Sequence, residues 1–168
     1  MPWEYDRNHS LIGFTTKHLG ITTVHGRFDD ADVQLDIDSE NPTQWSMNAV
    51  IRAESLNTGI QRRDDHVRSE SFLHVDQFPE ITFKTLRTER RGDRFALIGA
   101  LTMHGITREV ELDVSYNGEA VDRGVYKRGF SAQTTINRFD YGVGDPEGTW
   151  TAAPEIRFNL ELEARKVE

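Results

Sequence analysis

Ile156-Arg157-Phe158-Asn159-Leu160-Glu161-Leu162-Glu163-Ala164-Arg165 alternates apolar and polar side chains without a break. A helix turns once every 3.6 residues and would scatter these apolar groups around its circumference. A strand points successive side chains to opposite faces and gathers them on one side. The stretch therefore predicts a half-buried β-strand. Working outward, the same period of two recurs. Val110, Leu112 and Val114 alternate with Glu109, Glu111 and Asp113, and Val33, Leu35 and Ile37 alternate with Gln34, Asp36 and Asp38. Together these patterns predict strands near residues 10–18, 23–37, 44–53, 80–89, 94–103, 106–116, 127–136 and 154–165. Arg91-Gly92-Asp93 and His104-Gly105 carry the turn chemistry of hairpins. Arg62–Phe72 breaks the alternation and predicts the single short helix.

Strands polar on one face can pack as a sandwich or curl into a barrel. Most of these lengths fall within 9–13 residues, or about 30–40 Å at roughly 3.3 Å per residue, long for a small sandwich, and closure removes exposed edges. The expectation is an all-β, extended antiparallel eight-stranded barrel with one short helix. The 168 residues suit one domain spanning 1–168.

Composition narrows the function. The charge is −8, from 20 basic and 28 acidic residues, which disfavours a nucleic-acid partner. There is no cysteine, so disulfides and thiolate metal sites are excluded. The start, MPWEYDRNHS, has neither a basic nor an apolar leader segment, so a cytoplasmic protein is expected. The six histidines lack a local zinc spacing, and no G-x-S-x-G elbow is present. Asp36, Asp38, Glu109, Glu111, Glu161 and Glu163 have outward parity and read as a solvated face rather than an acid–base pair. Asp140, Asp145 and Glu147, among glycines, form a loop without calcium-ligand spacing. No cofactor, metal or catalytic residue is assigned, and the protein is read as a non-enzyme.

Parity places Ile12, Phe14, Thr16, His18, Met47, Ala49, Ile51, Phe83, Leu97, Leu101, Phe130, Ala132 and Phe158 on the inner face. An eight-stranded barrel is filled by its own side chains or holds one small ligand. Small inward residues (Ser10, Thr16, Ala49, Gly99, Ala132) favour empty space and large ones favour filling, so the pattern alone leaves both open. His18, at the end of its run, reads as a mouth histidine, a head-group contact or a metal ligand. Arg87, Arg90, Arg91 and Arg94 surround one turn and read as a soluble turn or a basic lip for membrane contact.

Several segments in order carry a resemblance. They are Trp3, His9-Ser10-x-Ile12-x-Phe14-x-x-x-His18, Val24-His25-Gly26-Arg27-Phe28, Arg63-Asp64-x-His66-Val67-Arg68-Ser69, Phe78-Pro79-Glu80-Ile81-Thr82-Phe83, Gly99-x-Leu101-Thr102-Met103-His104-Gly105, Gly129-Phe130-Ser131-Ala132 and Ile136-Asn137-Arg138-Phe139-Asp140-Tyr141-Gly142. This set resembles the YceI-like family of polyisoprenoid- or lipid-binding proteins over essentially the whole chain. Val67, Leu73 and His74 depart from the family pattern near the helix. The resemblance implies a lipocalin-like barrel with a hollow, apolar channel, so the thirteen inward residues become its expected lining. It implies a hydrophobic or amphiphilic small molecule as partner: a polyisoprenoid, polyprenyl phosphate, quinone or fatty amphiphile, bound, stored or transported. His18, with Thr16 or Ser10, is expected to meet the head group. Transient membrane contact and a homodimer are further expected partnerships. The alternatives are a histidine-dependent metalloenzyme acting on a lipid and a barrel scaffold for protein interaction.

Overall fold

The computed structural model describes residues 3–167. Its strands are β1 (Trp3–Tyr5), β2 (Leu11–His18), β3 (Thr22–Phe28), β4 (Ala31–Asp36), β5 (Ser46–Arg52), β6 (Leu56–Asn57), β7 (Glu80–Arg91), β8 (Arg94–Met103), β9 (Ile106–Asp122), β10 (Val125–Asn137) and β11 (Glu155–Lys166). All join one antiparallel sheet in the order β4-β5-β7-β8-β9-β10-β11-β2-β3-β6, with β1 added alongside β11. The sheet curls into an extended, lipocalin-like barrel. The strands number eleven rather than the expected eight. Two are short additions, β1 and β6, and the expected strand over 23–37 is two.

That division makes the barrel's corner. After Phe28 the chain bends at Asp29 and Asp30, and β5 bends beside it through a single turn at Ala53–Ser55. Asp29 N donates to Ser55 O at 3.1 Å and Arg52 N to Asp30 O at 2.9 Å, while Ser55 Oγ accepts from Asp30 N at 3.0 Å. The backbone donors of Asp29, Asp30 and Arg52 are thus all paired at the bend. The two strands turn the corner paired, β4 with β5 and β3 with β6, which ties the two ends of the sheet together. At the other side of the seam, Arg7 donates to Ala31 O at 3.0 Å and Arg128 to Ile37 O at 2.6 Å.

The alternation in the sequence becomes layers. Phe130 faces Leu162, Ala132 faces Leu160, Thr134 faces Phe158 and Ile136 faces Ile156 across the β10–β11 ladder. Phe14 continues the row opposite Phe158 on β2. His104-Gly105 links β8 to β9 as expected, with φ of 55° and 74°, the geometry of a two-residue hairpin turn. The β9–β10 pair runs further than the alternation shows, out to Asp122 and Val125, so its tip projects with Val121 and Tyr126 exposed.

Two strand glycines correct the expectation that small inward residues leave space. A Cβ on Gly99 would lie 2.4 Å from Phe83 Cζ, and one on Gly26 would lie 2.2 Å from Phe14 Cζ. Each glycine is a seat for a phenyl ring, so its missing side chain is filled from a neighbouring strand.

The helix α1 (Gln61–Arg68) starts one residue before the expected Arg62 and ends four before Phe72. From Ser69 onward tight turns take over, with Phe72 N bonded to Ser69 O and Leu73 N to Val67 O. Its charges fasten it to the β6 segment. Arg68 donates to Glu54 O and Leu56 O, and buried Asp64 accepts from Thr58 N at 2.9 Å and Thr58 Oγ1 at 2.5 Å. This anchoring places α1 across one end of the barrel.

Candidate functional site

The barrel interior is divided. In the half nearest the β7–β8 turn, Trp45 packs edge-on against Tyr116 (5.3 Å between centroids) and Phe130 (5.6 Å), with Phe95 at 6.0 Å. The void left there is about 50 Å³ and apolar, bordered by Met47, Leu97 and Ala132 among others. That volume is well below the roughly 300–1,000 Å³ of small-molecule sites.

The other half opens into a cavity of about 730 Å³, within the roughly 300–1,000 Å³ span of small-molecule sites. The sheet supplies Phe14, Val24, Phe28, Met103, Ile156 and Phe158, and α1 with the turns after it supplies Val67, Phe72 and Leu73. The third wall is the loop 142–153, a strap across the mouth. On one side it is held by the end of β2, where Leu19 N donates to Thr151 O at 2.8 Å and Ala153 N to Lys17 O at 2.9 Å. On the other side Arg138 holds it by donating to the carbonyls of Val143, Ala152 and Ala153 at 2.9–3.1 Å. Arg138 is only 3% exposed, and burial pulls its pKa below the ordinary guanidinium value. Its faces meet Phe139 at 4.4 Å and Phe72 at 5.5 Å.

The sequence-derived lining residues fall into three groups. Phe14, Thr16, His18 and Phe158 border the large cavity. Met47, Leu97, Phe130 and Ala132 border the small void. Ile12, Ala49, Ile51, Phe83 and Leu101 are buried in the packed core and border neither. His18 is exposed at the rim, whereas Ser10 accepts from Glu163 N at 3.0 Å at the opposite end of β2. Eight residues of strand separate the two by about 26 Å, so Ser10 is not part of a head-group contact with His18.

Sequence reasoning missed the helix and strap side of the cavity: Val67, Phe72, Val143, Trp150 and above all Arg138. Parity speaks only for strands, and these residues sit on a helix, a turn and a loop. A retrospective signal was Arg138 itself, a charged residue two positions after Ile136 and so at the same inward parity.

The Arg87–Arg94 turn is no basic lip. Arg91 pairs with Glu89 at 2.6 Å and Glu111 at 2.9 Å, Arg87 with Glu89 at 3.1 Å and Arg94 with Asp113 at 2.7 Å. Arg94 is also nine residues along β8 from the cavity-lining Met103, about 30 Å. The carboxylates expected outside are there, and carboxylates along and across the strands pair with Arg87, Arg91 and Arg94, while Arg90 lies over the Phe95 ring. Some exposed apolar groups flank the cavity instead, while others, such as Val121 and Tyr126 at the β9–β10 tip, do not. Leu19 (59% exposed) and Ile21 (78%) form the β2–β3 turn beside Trp150 on the strap, and Ile60 precedes α1. Outside the barrel, Asp6, His9 and Glu163 converge. His9 Nδ1 lies 2.8 Å from Asp6, and Lys127 stands 3.7 Å from Glu163, so the group is an ion-pair cluster on the surface. No helix among the described residues is long and apolar enough to cross a membrane.

The model of the YceI-like domain family matches residues 3–164. A UPF0312 protein of Yersinia pestis (strain Pestoides F) is 35% identical over 161 residues, covering 95% of this chain and 83% of its own. Among solved structures, the Campylobacter jejuni YCEI protein superposes with a TM-score of 0.81 at 30% identity over 90% of each chain. Burkholderia cenocepacia BcnA superposes with a TM-score of 0.84 at 21% identity, covering 95% of this chain and 99% of its own. A polyisoprenoid binding domain from Saccharophagus degradans gives 0.66 at 14% identity over 99% of each chain. The last two likenesses concern the fold alone.

Proposed function

The chain belongs to the YceI-like family, and from that premise we propose that it binds and carries a single amphiphile whose hydrocarbon tail lies in the cavity beneath α1 and the strap. The observation that carries this reading is the cavity itself. It is large enough for a small molecule, its walls are mostly apolar, and it opens onto an apolar rim. A tail entering it leaves water with a gain of about 0.8 kcal/mol per buried CH₂. Association costs roughly 4–15 kcal/mol, so a tail of about ten carbons lies near the threshold of useful affinity and longer tails pass it.

The Trp45 cluster blocks the rest of the barrel, so the buried part of the ligand is bounded by the open half. A fatty amphiphile, a quinone or a short isoprenoid segment fits that bound, and a long polyisoprenoid would extend out through the mouth. The shared fold with a polyisoprenoid binding domain is consistent with such ligands, although the cavity carries the argument. The role is binding and transfer rather than catalysis. Leu19, Ile21, Ile60 and Trp150 give the mouth an apolar lip suited to brief contact with a bilayer, and Lys17, Arg62 and Arg63 stand near it.

The test is native mass spectrometry of the purified protein before and after solvent extraction, with Val24→Trp as the blocking variant. Val24 is half-buried on β3 and borders the cavity. A co-purifying amphiphile in wild type and its absence from folded Val24→Trp are expected. Equal loading of both proteins, or no uptake by extracted wild type offered a fluorescent fatty-acid probe, would refute the assignment.

A further inference from the structure

The charges around the cavity are segregated. In a chain of net charge −8, its lining holds Lys17, Arg63 and Arg138, with His18 and His66, against one carboxylate, Asp145. Asp145 is exposed and is engaged by the backbone of Glu147. A mostly apolar pocket with this imbalance attracts negative charge, and the low dielectric of its walls strengthens the attraction.

Arg138 is the centre of the imbalance. Its side chain is buried, and no carboxylate lies within 4.0 Å of it among the described residues. A guanidinium has five N–H donors. Three go to the carbonyls of the strap, leaving two. Carbonyl oxygens satisfy hydrogen bonds but supply no counter-charge, and a buried charge without a partner is costly. Arg63 is similar. It donates from Nε and Nη2 to the hydroxyl and carbonyl of Thr58, both at 2.7 Å. Thr58 in turn passes its own hydroxyl hydrogen bond to Asp64. Asp64 therefore reaches Arg63 only through Thr58, and three donors of Arg63 stay free. His66 lies one turn further along the same helix. Its ring meets Phe72 at 4.9 Å, and Phe72 is also the ring facing Arg138. Phe72 thus lies against both His66 of the helix and the buried arginine, and Arg63 borders the same cavity.

We propose that Arg138, Arg63 and His66 form an anion subsite that receives the acidic head group, a carboxylate or phosphate monoester, of the amphiphile held in the cavity. This rests on the carrier reading above and adds the class of ligand: acidic amphiphiles over neutral ones of equal tail. The two free donors of Arg138 suit a planar or tetrahedral oxyanion, as arginine does wherever such groups are recognised.

The experiment compares palmitate, hexadecyl phosphate and hexadecanol as competitors of a fluorescent fatty-acid probe on extracted full-length protein, with inorganic phosphate as a separate arm. Hydrogen bonds to a charged group contribute enough for a preference of about tenfold or more for the acidic ligands. Arg63→Gln, and Arg63→Gln combined with His66→Gln, should lose most of that preference while hexadecanol binding falls far less. These variants leave the strap bonds of Arg138 intact, and a largely retained hexadecanol affinity reports an intact cavity. Equal binding of all three amphiphiles to wild type would overturn the subsite and leave the carrier reading standing. An unchanged preference in the double variant would overturn the assignment to these residues. Inorganic phosphate competing at the same concentration as hexadecyl phosphate would show a free-anion site and overturn the head-group reading. Binding of none of the amphiphiles would remove the carrier reading and the subsite together.

Discussion

Gly26 and Gly99 do the same geometric job in two different surroundings, and the difference gives a quantitative prediction. A methyl group at either position would collide with a phenyl ring at well under contact distance. At Gly99 the ring is Phe83, which is 6% exposed inside the packed core, and the new Cβ would also lie 2.7 Å from the backbone oxygen of Lys84. Neither obstacle has room to retreat. Overpacking of that kind costs about 1–3 kcal/mol, or a fall in Tm of roughly 2–12 °C for a chain of this size. At Gly26 the ring is Phe14, which borders the 730 Å³ cavity and can swing into it. The steric cost is then largely relieved, and removing a glycine from a strand returns about 0.5–1 kcal/mol of backbone entropy. Gly26→Ala should therefore shift Tm by only a degree or two, yet it should reduce uptake of a fatty-acid probe, because the displaced ring occupies the tail's space. Gly99→Ala should do the reverse: clear destabilisation with ordinary uptake by the folded fraction. Combining Gly99→Ala with Phe83→Leu should recover part of the loss, as expected for residues in contact. Thermal denaturation and probe titration on the same samples decide the matter. Equal destabilisation by both alanine substitutions, or unimpaired uptake by Gly26→Ala, would refute the claim that one ring borders open space and the other does not.

Trp45→Ala should lower stability by about 3–5 kcal/mol in denaturant titration, since Trp45 anchors three aromatic contacts in the filled half. Leu19→Glu with Ile21→Glu should leave Tm within about 0.5 kcal/mol equivalent while slowing extraction of a fluorescent lipid from vesicles. Charge reversal of Arg90 and Arg91, at the far end of the barrel, should leave that rate alone. The hydrogen bond that His9 donates to the Asp6 carboxylate raises the His9 pKa above the ordinary imidazole value and lowers that of Asp6. Their attraction is therefore full where His9 is protonated and Asp6 ionised. It fades as pH rises through the raised His9 value and as pH falls through the lowered Asp6 value. Asp6→Asn should move the His9 titration midpoint down, read by NMR, and an unmoved midpoint would break the link.

Most strands were legible because one face of each is wet, β8 being the exception with residues 95–99 buried throughout. Glu161 and Leu162 differ in burial as their alternation predicts, and nine of the eleven strands, all but β1 and β6, overlap the ranges that signal gives. The corner was not legible. Residues 23–37 keep an acceptable strand pattern through Asp29 and Asp30, and the bend depends on Ser55, distant in sequence and invisible to local reading. The cavity was half legible. Parity separated inside from outside but carried no information on level along the barrel. Hence Ala132 and Thr16, alike in sequence, border different spaces, one nearly filled by aromatic rings and the other open. Gly99 misled for a related reason, since a small residue predicts space only when no neighbour reaches across to fill it. Resemblance to a known family supplied the hollow interior that patterning left open.

The pairing of β11 with β1, β2 and β10 has a consequence for how the protein is made. Phe14 and Phe158 are cross-strand partners separated by most of the polypeptide, and contacts that distant in sequence form late because loop closure must come first. On the ribosome, β2 and β10 wait with bare edges until Glu155–Lys166 has left the exit tunnel. Limited proteolysis of stalled nascent chains should find protection only after that segment emerges. Until then the apolar inner surface stands uncovered on that side, and β11, seated between β10 and β2, is the stave that completes the cask.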